Sequence, residues 1–155
     1  MFNYKPPKET RPLFIIHHVP LLLIMLLGPV TPIYGFFRLP IAQLISIGLG
    51  IVVLATGYGL FIKWTIFWHK EYKGQLITNG IFKYIRHPHY SSLLILGFGL
   101  ALFFSSILSL LLAIMAVPIM LWSVIDEEKL LIKQYGKKYE KYLEKVPWRF
   151  IPKIL

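Results

Sequence analysis

The run Gly-Gln-Leu-Ile-Thr-Asn-Gly-Ile-Phe-Lys-Tyr-Ile-Arg-His-Pro-His-Tyr, residues 74–90, decides how the chain folds. It is too polar to cross a bilayer, yet it stands between apolar runs at residues 40–62 and 90–104. The chain therefore reads as helices that enter and leave a membrane, with this run as the polar connector between them. Its Arg86-His87-Pro88-His89-Tyr90 core is too rich in ionisable side chains for a plain connector. It ends at the mouth of the next apolar helix and forms one half of a candidate cofactor site. The other half is Asp126-Glu127-Glu128, where the last apolar run ends.

Composition agrees with a membrane protein. Of the 155 residues, 56% are hydrophobic and 15% are charged. The charges cluster between the apolar runs. A net charge of +10 reads as basic loops facing anionic lipid rather than a nucleic-acid surface, because no soluble domain is left to carry one. The absence of cysteine excludes disulfides, thiolate chemistry and cysteine-based zinc sites. No cleavable signal peptide or C-terminal prenylation box is evident.

A basic tail at residues 1–11 leads to a first expected span at 13–33, with His17, His18 and Pro20 at its entry and Pro29 and Pro32 at its exit. The two histidines read either as a buried, functional pair or, the favoured reading, as lying at headgroup depth, where an imidazole is easily solvated. A second span covers 40–62 and holds Gly48, Gly50, Gly57 and Gly59, which suit close helix packing. Trp64, Trp68 and Tyr72 follow as an interfacial aromatic belt. The polar connector is placed at 63–90, with Asn79-Gly80 as a turn. Residues 90–104 and 107–125 form a helical hairpin about Ser105-Ser106.

From Asp126 onward the chain is charged. Leu131, Tyr135, Tyr139, Tyr142 and Val146 recur at three- and four-residue steps, one apolar stripe on a helix face, with Gly136 a candidate break. The stripe reads as a basic amphipathic helix on the membrane surface, as a lid over the site, or as both. The expected fold is thus all-α and polytopic, with about four transmembrane helices, a C-terminal hairpin and a cytoplasmic amphipathic helix. It forms a single membrane domain over 1–155, with two N-terminal spans in 1–73 and a cofactor-binding core in 74–155. Every one of the 17 basic residues except Arg38 falls on one side of this layout. That places both termini and the connector in the cytoplasm.

The two half-sites offer a guanidinium, two imidazoles, a phenol and two or three carboxylates at the membrane boundary. Carboxylates are unfavourable where an anionic surface favours lysine, so they suggest pairing with Arg86 or with a cationic ligand. The plainer alternative is that they open a solvated helix and favour its N-terminal dipole. His87 and His89 lack a third ligand set by spacing, so no metal site is expected. No serine sits in a strand-to-helix elbow, and Gly97-Phe98-Gly99 lies in an apolar helix, so neither hydrolase nor dinucleotide chemistry is indicated.

Several pieces in order resemble the integral-membrane methyltransferases of the isoprenylcysteine carboxyl methyltransferase type, and more loosely the phospholipid N-methyltransferases. They are Leu76-Ile77-Thr78-Asn79-Gly80-Ile81-Phe82, then Arg86-His87-Pro88-His89-Tyr90, a hairpin, Glu127-Glu128-Lys129-Leu130-Leu131-Ile132, Tyr135-Gly136-Lys137-Lys138-Tyr139, Val146-Pro147 and Ile151-Pro152. The resemblance covers about half the chain. It implies S-adenosyl-L-methionine as methyl donor and a membrane-embedded, lipid-like or prenylated acceptor. It also implies cofactor contacts at Gln75, Leu76, Ile77, Phe82, His87, Pro88, His89, Tyr90 and Glu127, with Arg86 and Glu128 as catalytic groups. Two positions depart from the founding enzymes. Phe82 replaces a tyrosine, leaving stacking alone, and Ser123 stands where they carry an arginine assigned to the substrate. Arg86 and Arg149 are the candidates to replace that arginine.

In-line methyl transfer from a sulfonium needs alignment and dehydration more than acid–base work. A carboxylate acceptor is already nucleophilic, whereas an amine acceptor needs a nearby base such as His87 or Glu128. Tyr90 and Phe82 suit cation–π contact with a sulfonium. The competing readings are a nicotinamide-dependent membrane reductase and a non-catalytic membrane scaffold. Oligomeric state is open.

Overall fold

The computed structural model describes residues 16–154, so the basic tail and the start of the first expected span lie outside the described residues. Among the described residues the elements are helical: α1 Val19–Leu27, α2 Val30–Tyr34, α3 Gln43–Glu71, a 3-10 turn Gly80–Lys83, α4 Pro88–Phe103, α5 Ile107–Tyr135 and α6 Lys137–Lys145. The hairpin between α4 and α5 is as expected. Ser105 turns the chain at φ +48°, and the Ser106 hydroxyl caps α5 by accepting from Ser109 N at 3.2 Å.

Two helix bounds differ from the sequence reading. The first apolar run breaks between α1 and α2, where Pro29 has no N–H and Thr31 N turns back to Gly28 O at 3.3 Å. The helix of the second span does not stop at residue 62. It runs on to Glu71 because Trp64, Phe67 and Trp68 pack onto the connector and support the extra turns. The first residues assigned to the connector are therefore helical.

α4 is the centre of the bundle. It packs against α3 on one side and against α5 and α1 on the other. Its small residues, Ser91, Ser92, Gly97, Gly99 and Ala101, are buried, which lets neighbouring backbones come close. A Cβ on Gly99 would lie 2.9 Å from Leu54 N, and one on Gly50 would collide with the Phe103 backbone. Gly50 and Gly57 thus serve helix packing as expected, whereas Gly48 and Gly59 have nothing within 4 Å.

α3 and α5 are long and apolar enough to cross a membrane, with mean hydropathy 2.1 and 2.5. Most of each helix stays unburied within the bundle. The buried residues of α3 are Ser46, Gly50 and Gly57, while Leu44, Ile45, Ile51 and Val52 are exposed. Small residues inside and large apolar residues outside is the arrangement lipid favours. It suits a membrane-associated chain.

The bundle has two unlike ends. At one, the Arg38 loop is tied to the hairpin turn by Leu39 N to Ser105 O (2.9 Å) and Ile107 N to Phe37 O (2.8 Å). Thr31 donates to Ser106 Oγ at 2.8 Å beneath them. At the other end the connector meets the charged end of α5, α6 and the segment that follows. α6 is separated from α5 by Gly136, whose φ +54°, ψ −136° suits glycine alone. That bend turns Tyr139 and Tyr142 inward onto Ile77 and Phe82 and leaves Lys137, Lys138 and Lys141 exposed. The apolar stripe therefore packs against this chain's own connector.

Candidate functional site

The connector is held by a strap, residues 146–150. Arg86 N donates to Trp148 O and His87 N to Arg149 O, both at 2.9 Å, and Ser91 Oγ donates to Phe150 O at 2.7 Å. Pro147 ends α6 and keeps the strap extended. Phe150 then buries itself against Tyr90, Leu93 and Val124. His87 stands at the N-cap position of α4, and Pro88 occupies the first turn, where a missing N–H costs nothing.

These contacts bring the two half-sites together. Glu128 is buried and surrounded by cations: Arg86 Nε lies 3.3 Å from Oε1, and Arg149 donates from Nε and Nη2 to Oε2 at 3.2 and 3.0 Å. His87 Nε2 is 3.2 Å from the same Oε1. The Arg86 guanidinium also donates to Pro147 O at 3.1 Å, which ties the ion pair to the strap. One turn of the imidazole away, His87 Nδ1 lies 3.8 Å from Glu127 Oε2, and the Tyr90 hydroxyl donates to that oxygen at 3.0 Å. The Glu127 side chain keeps 38% of its surface and Arg149 keeps 33%. They are the accessible acid and the accessible base of an otherwise buried network.

Asp126 takes no part, pairing instead with Lys129 at 2.7 Å on the surface. Nor do the three acids open a helix, since α5 begins at Ile107. Arg86 and Glu128, expected as catalytic groups, are both buried and bound to each other. Among the expected cofactor contacts, His87, Tyr90 and Glu127 meet in one network, with Pro88 buried beside them. Gln75 is exposed and Leu76 half-buried. The side chains of Ile77 and Phe82 point into the aromatic cluster with Tyr139 and Tyr142 rather than toward the acids. Tyr142 donates to Phe82 O at 2.8 Å. Burial raises the Tyr139 and Tyr142 phenols above their ordinary range, so they stay protonated donors under α6.

His89 points away from the acids. Its ring centroid is 4.4 Å from that of Trp64 and about 6 Å from those of His17 and His18. His17, expected at headgroup depth, is instead fully buried in protein, 4.8 Å from the Tyr90 ring. Ser123 is buried and donates to Ile119 O of its own helix at 3.2 Å. Below the network, a small apolar cavity between α1, α4 and α5 is lined by Leu21, Ile24, Leu93 and Ala113.

The strap's contacts were not visible in sequence, where Arg149 was a candidate for a substrate arginine and not a partner of Glu128.

A buried Arg–His–Glu network thus sits at the polar end of a helical bundle whose two long apolar helices suit a membrane. The family profile described as phospholipid methyltransferase matches residues 41–138, and the chain belongs to that family. Among curated relatives, the protein-S-isoprenylcysteine O-methyltransferase of Schizosaccharomyces pombe is 34% identical over 77 residues, 46% of this chain and 31% of the relative. The probable protein-S-isoprenylcysteine O-methyltransferase of Oryza sativa subsp. indica is 34% identical over 83 residues, 50% of this chain and 41% of the relative. That of subsp. japonica matches equally. The aligned part thus spans less than half the length of each. No solved structure matches the chain.

Proposed function

We propose that this protein transfers a methyl group from S-adenosyl-L-methionine to a lipid-like acceptor, the carboxylate of a prenylated cysteine or a related lipophilic group, at the cytoplasmic face of a membrane. The observation that carries the reading is the Glu127–His87–Tyr90 cluster, part-open at the end of an apolar bundle, in a chain of a methyltransferase family. The residues fit such a donor. Glu127 is a half-exposed carboxylate whose Oε1 takes no hydrogen bond among the described residues, so it suits an ammonium or ribose hydroxyls. Arg149 offers the complementary charge for a carboxylate.

The donor, when bound, would supply an electrophilic methyl on a sulfonium; the acceptor's electron pair forms the new bond as the sulfur–methyl bond breaks, and that bond's electron pair stays on sulfur. The protein's share is placement. Tyr90 and Pro147 fix the orientation of Glu127 and Arg86, and Glu128 binds Arg86, Arg149 and His87 into one rigid base. Arg86 and Glu128 act here through the groups they hold. Gln75 and Leu76, at the outer edge of the aromatic cluster, remain available to a bound donor. The bundle accounts for the acceptor, since exposed apolar surface on α3 and α5 extends along the bundle toward the charged end.

In this reading the chain is one membrane domain that crosses four times, through α1 together with α2, then through α3, α4 and α5. The termini and connector are cytoplasmic, and α6 covers the site. An amine acceptor is the second reading, favoured by the phospholipid methyltransferase family itself and by Ser123 in place of a substrate arginine. There His87 would take the amine's proton.

Calorimetric titration of the detergent-solubilised protein with S-adenosylhomocysteine tests the reading. One site is expected, lost in Glu127→Ala and in His87→Ala. Absence of binding by folded wild-type protein would reject it. Labelled methyl transfer to a farnesylated cysteine analogue or to phosphatidylethanolamine vesicles separates the two acceptors.

A further inference from the structure

On the side of α4 away from the carboxylates, three imidazoles meet. His17 and His18 precede α1, and His89 lies in the first turn of α4. Ring centroids are 4.0 Å apart for His17–His18, 6.1 Å for His17–His89 and 6.0 Å for His18–His89. One ring nitrogen of each lies within 4.8 Å of the other two. His17 is buried and the other two are half-buried. Trp64, Phe61 and Tyr90 ring the cluster. Methyl transfer as described above makes no use of it.

We propose that His17, His18 and His89 bind one divalent transition-metal ion of the zinc class, clamping the segment before α1 to the first turn of α4. The donor set is nitrogen only, which suits zinc, copper or nickel and not magnesium or calcium. A neutral imidazole is the commonest side-chain metal ligand, and three of them converge here. His89 Nδ1 is buried and has no hydrogen-bond partner among the described residues, a need that an ion meets. Metal–nitrogen bonds of about 2.0–2.1 Å place the nitrogens of a tetrahedral site roughly 3.3 Å apart. Closing from the present spacing takes small ring rotations at His18 and His89, which are not fully buried.

The near neighbours His87 and His89 share no ligand set. α4 turns those rings apart, one to the acids and one to the N-terminal histidines. Three protein ligands leave a fourth position for water. The clamp does not depend on the methyltransferase reading, because its test reads the metal.

The full chain, purified in detergent without a polyhistidine tag and stripped with chelator, is titrated with Co²⁺. One equivalent is expected to bind with the visible absorption of a four-coordinate nitrogen site, bleached by Zn²⁺. Zn²⁺ is also expected to raise the melting temperature. His18→Ala and His89→Ala are expected to weaken Co²⁺ binding by at least about 100-fold, more than losing an outer-shell partner does. His69→Ala, exposed on α3, is expected to bind as wild type. Should His89→Ala fail to fold, the half-buried His18→Gln decides. No saturable Co²⁺ binding by folded wild-type protein, or binding that survives both His18 and His89 variants, would overturn the proposal.

Discussion

Successive residues on a helix point about 100° apart, so Glu127 and Glu128 meet different surroundings. Glu128 is buried among Arg86, Arg149 and His87; Glu127 touches Tyr90 and keeps an open face. Their substitutions should separate stability from binding. Glu128→Gln leaves the Arg86 guanidinium buried without its counter-charge, a loss of about 3–5 kcal/mol. It should appear as a marked drop in the unfolding midpoint of the detergent-solubilised protein. Glu127→Gln should leave that midpoint nearly unchanged and abolish S-adenosylhomocysteine binding. An unchanged midpoint in Glu128→Gln would show that the buried network does not stabilise the fold. The adjacency of these acids was legible in sequence, but which was buried depended on how α5 is rotated against α4.

At the scale of elements, small residues decide which helix faces meet. Gly50 lies under the Phe103 backbone, whereas Gly48, on the same helix, faces open surroundings. Gly50→Val is expected to drive α3 from α4 and lower the thermal midpoint, with Gly48→Val close to wild type as the internal control. Equal midpoints would mean that α3 does not pack through that face. Four glycines within one apolar run suggested close helix packing, yet only packing against α4 chose Gly50 and Gly57. The same holds for α6. Its tyrosine stripe was readable as periodicity, and the Gly136 bend directed it onto the connector.

At the scale of the molecule, the connector, the strap and α6 gather at one end, and the Arg38 loop and hairpin turn at the other. Because the native chain lacks cysteine, single cysteines report sidedness without background. In sealed vesicles of known orientation, Lys73→Cys and Lys141→Cys should react with an impermeant maleimide only from the cytoplasmic side. Phe36→Cys should react only from the opposite side. Reaction of Lys73→Cys and Phe36→Cys from the same side would reject the proposed topology.

Hydropathy, proline and glycine placement and the distribution of lysine and arginine are properties of short windows. For that reason the sequence by itself determined a helical membrane chain, the hairpin at Ser105-Ser106, and the polar half-sites around residues 86–90 and 126–128. Which ionisable groups touch is set by helix rotation and by backbone hydrogen bonds between distant segments. Only the tertiary structure could place Arg149 on Glu128 through the strap, bury Ile77 and Phe82 under α6, and turn His87 and His89 to opposite sides. Those pairings join residues far apart in the chain, and no local pattern encodes the angle at which two helices present them.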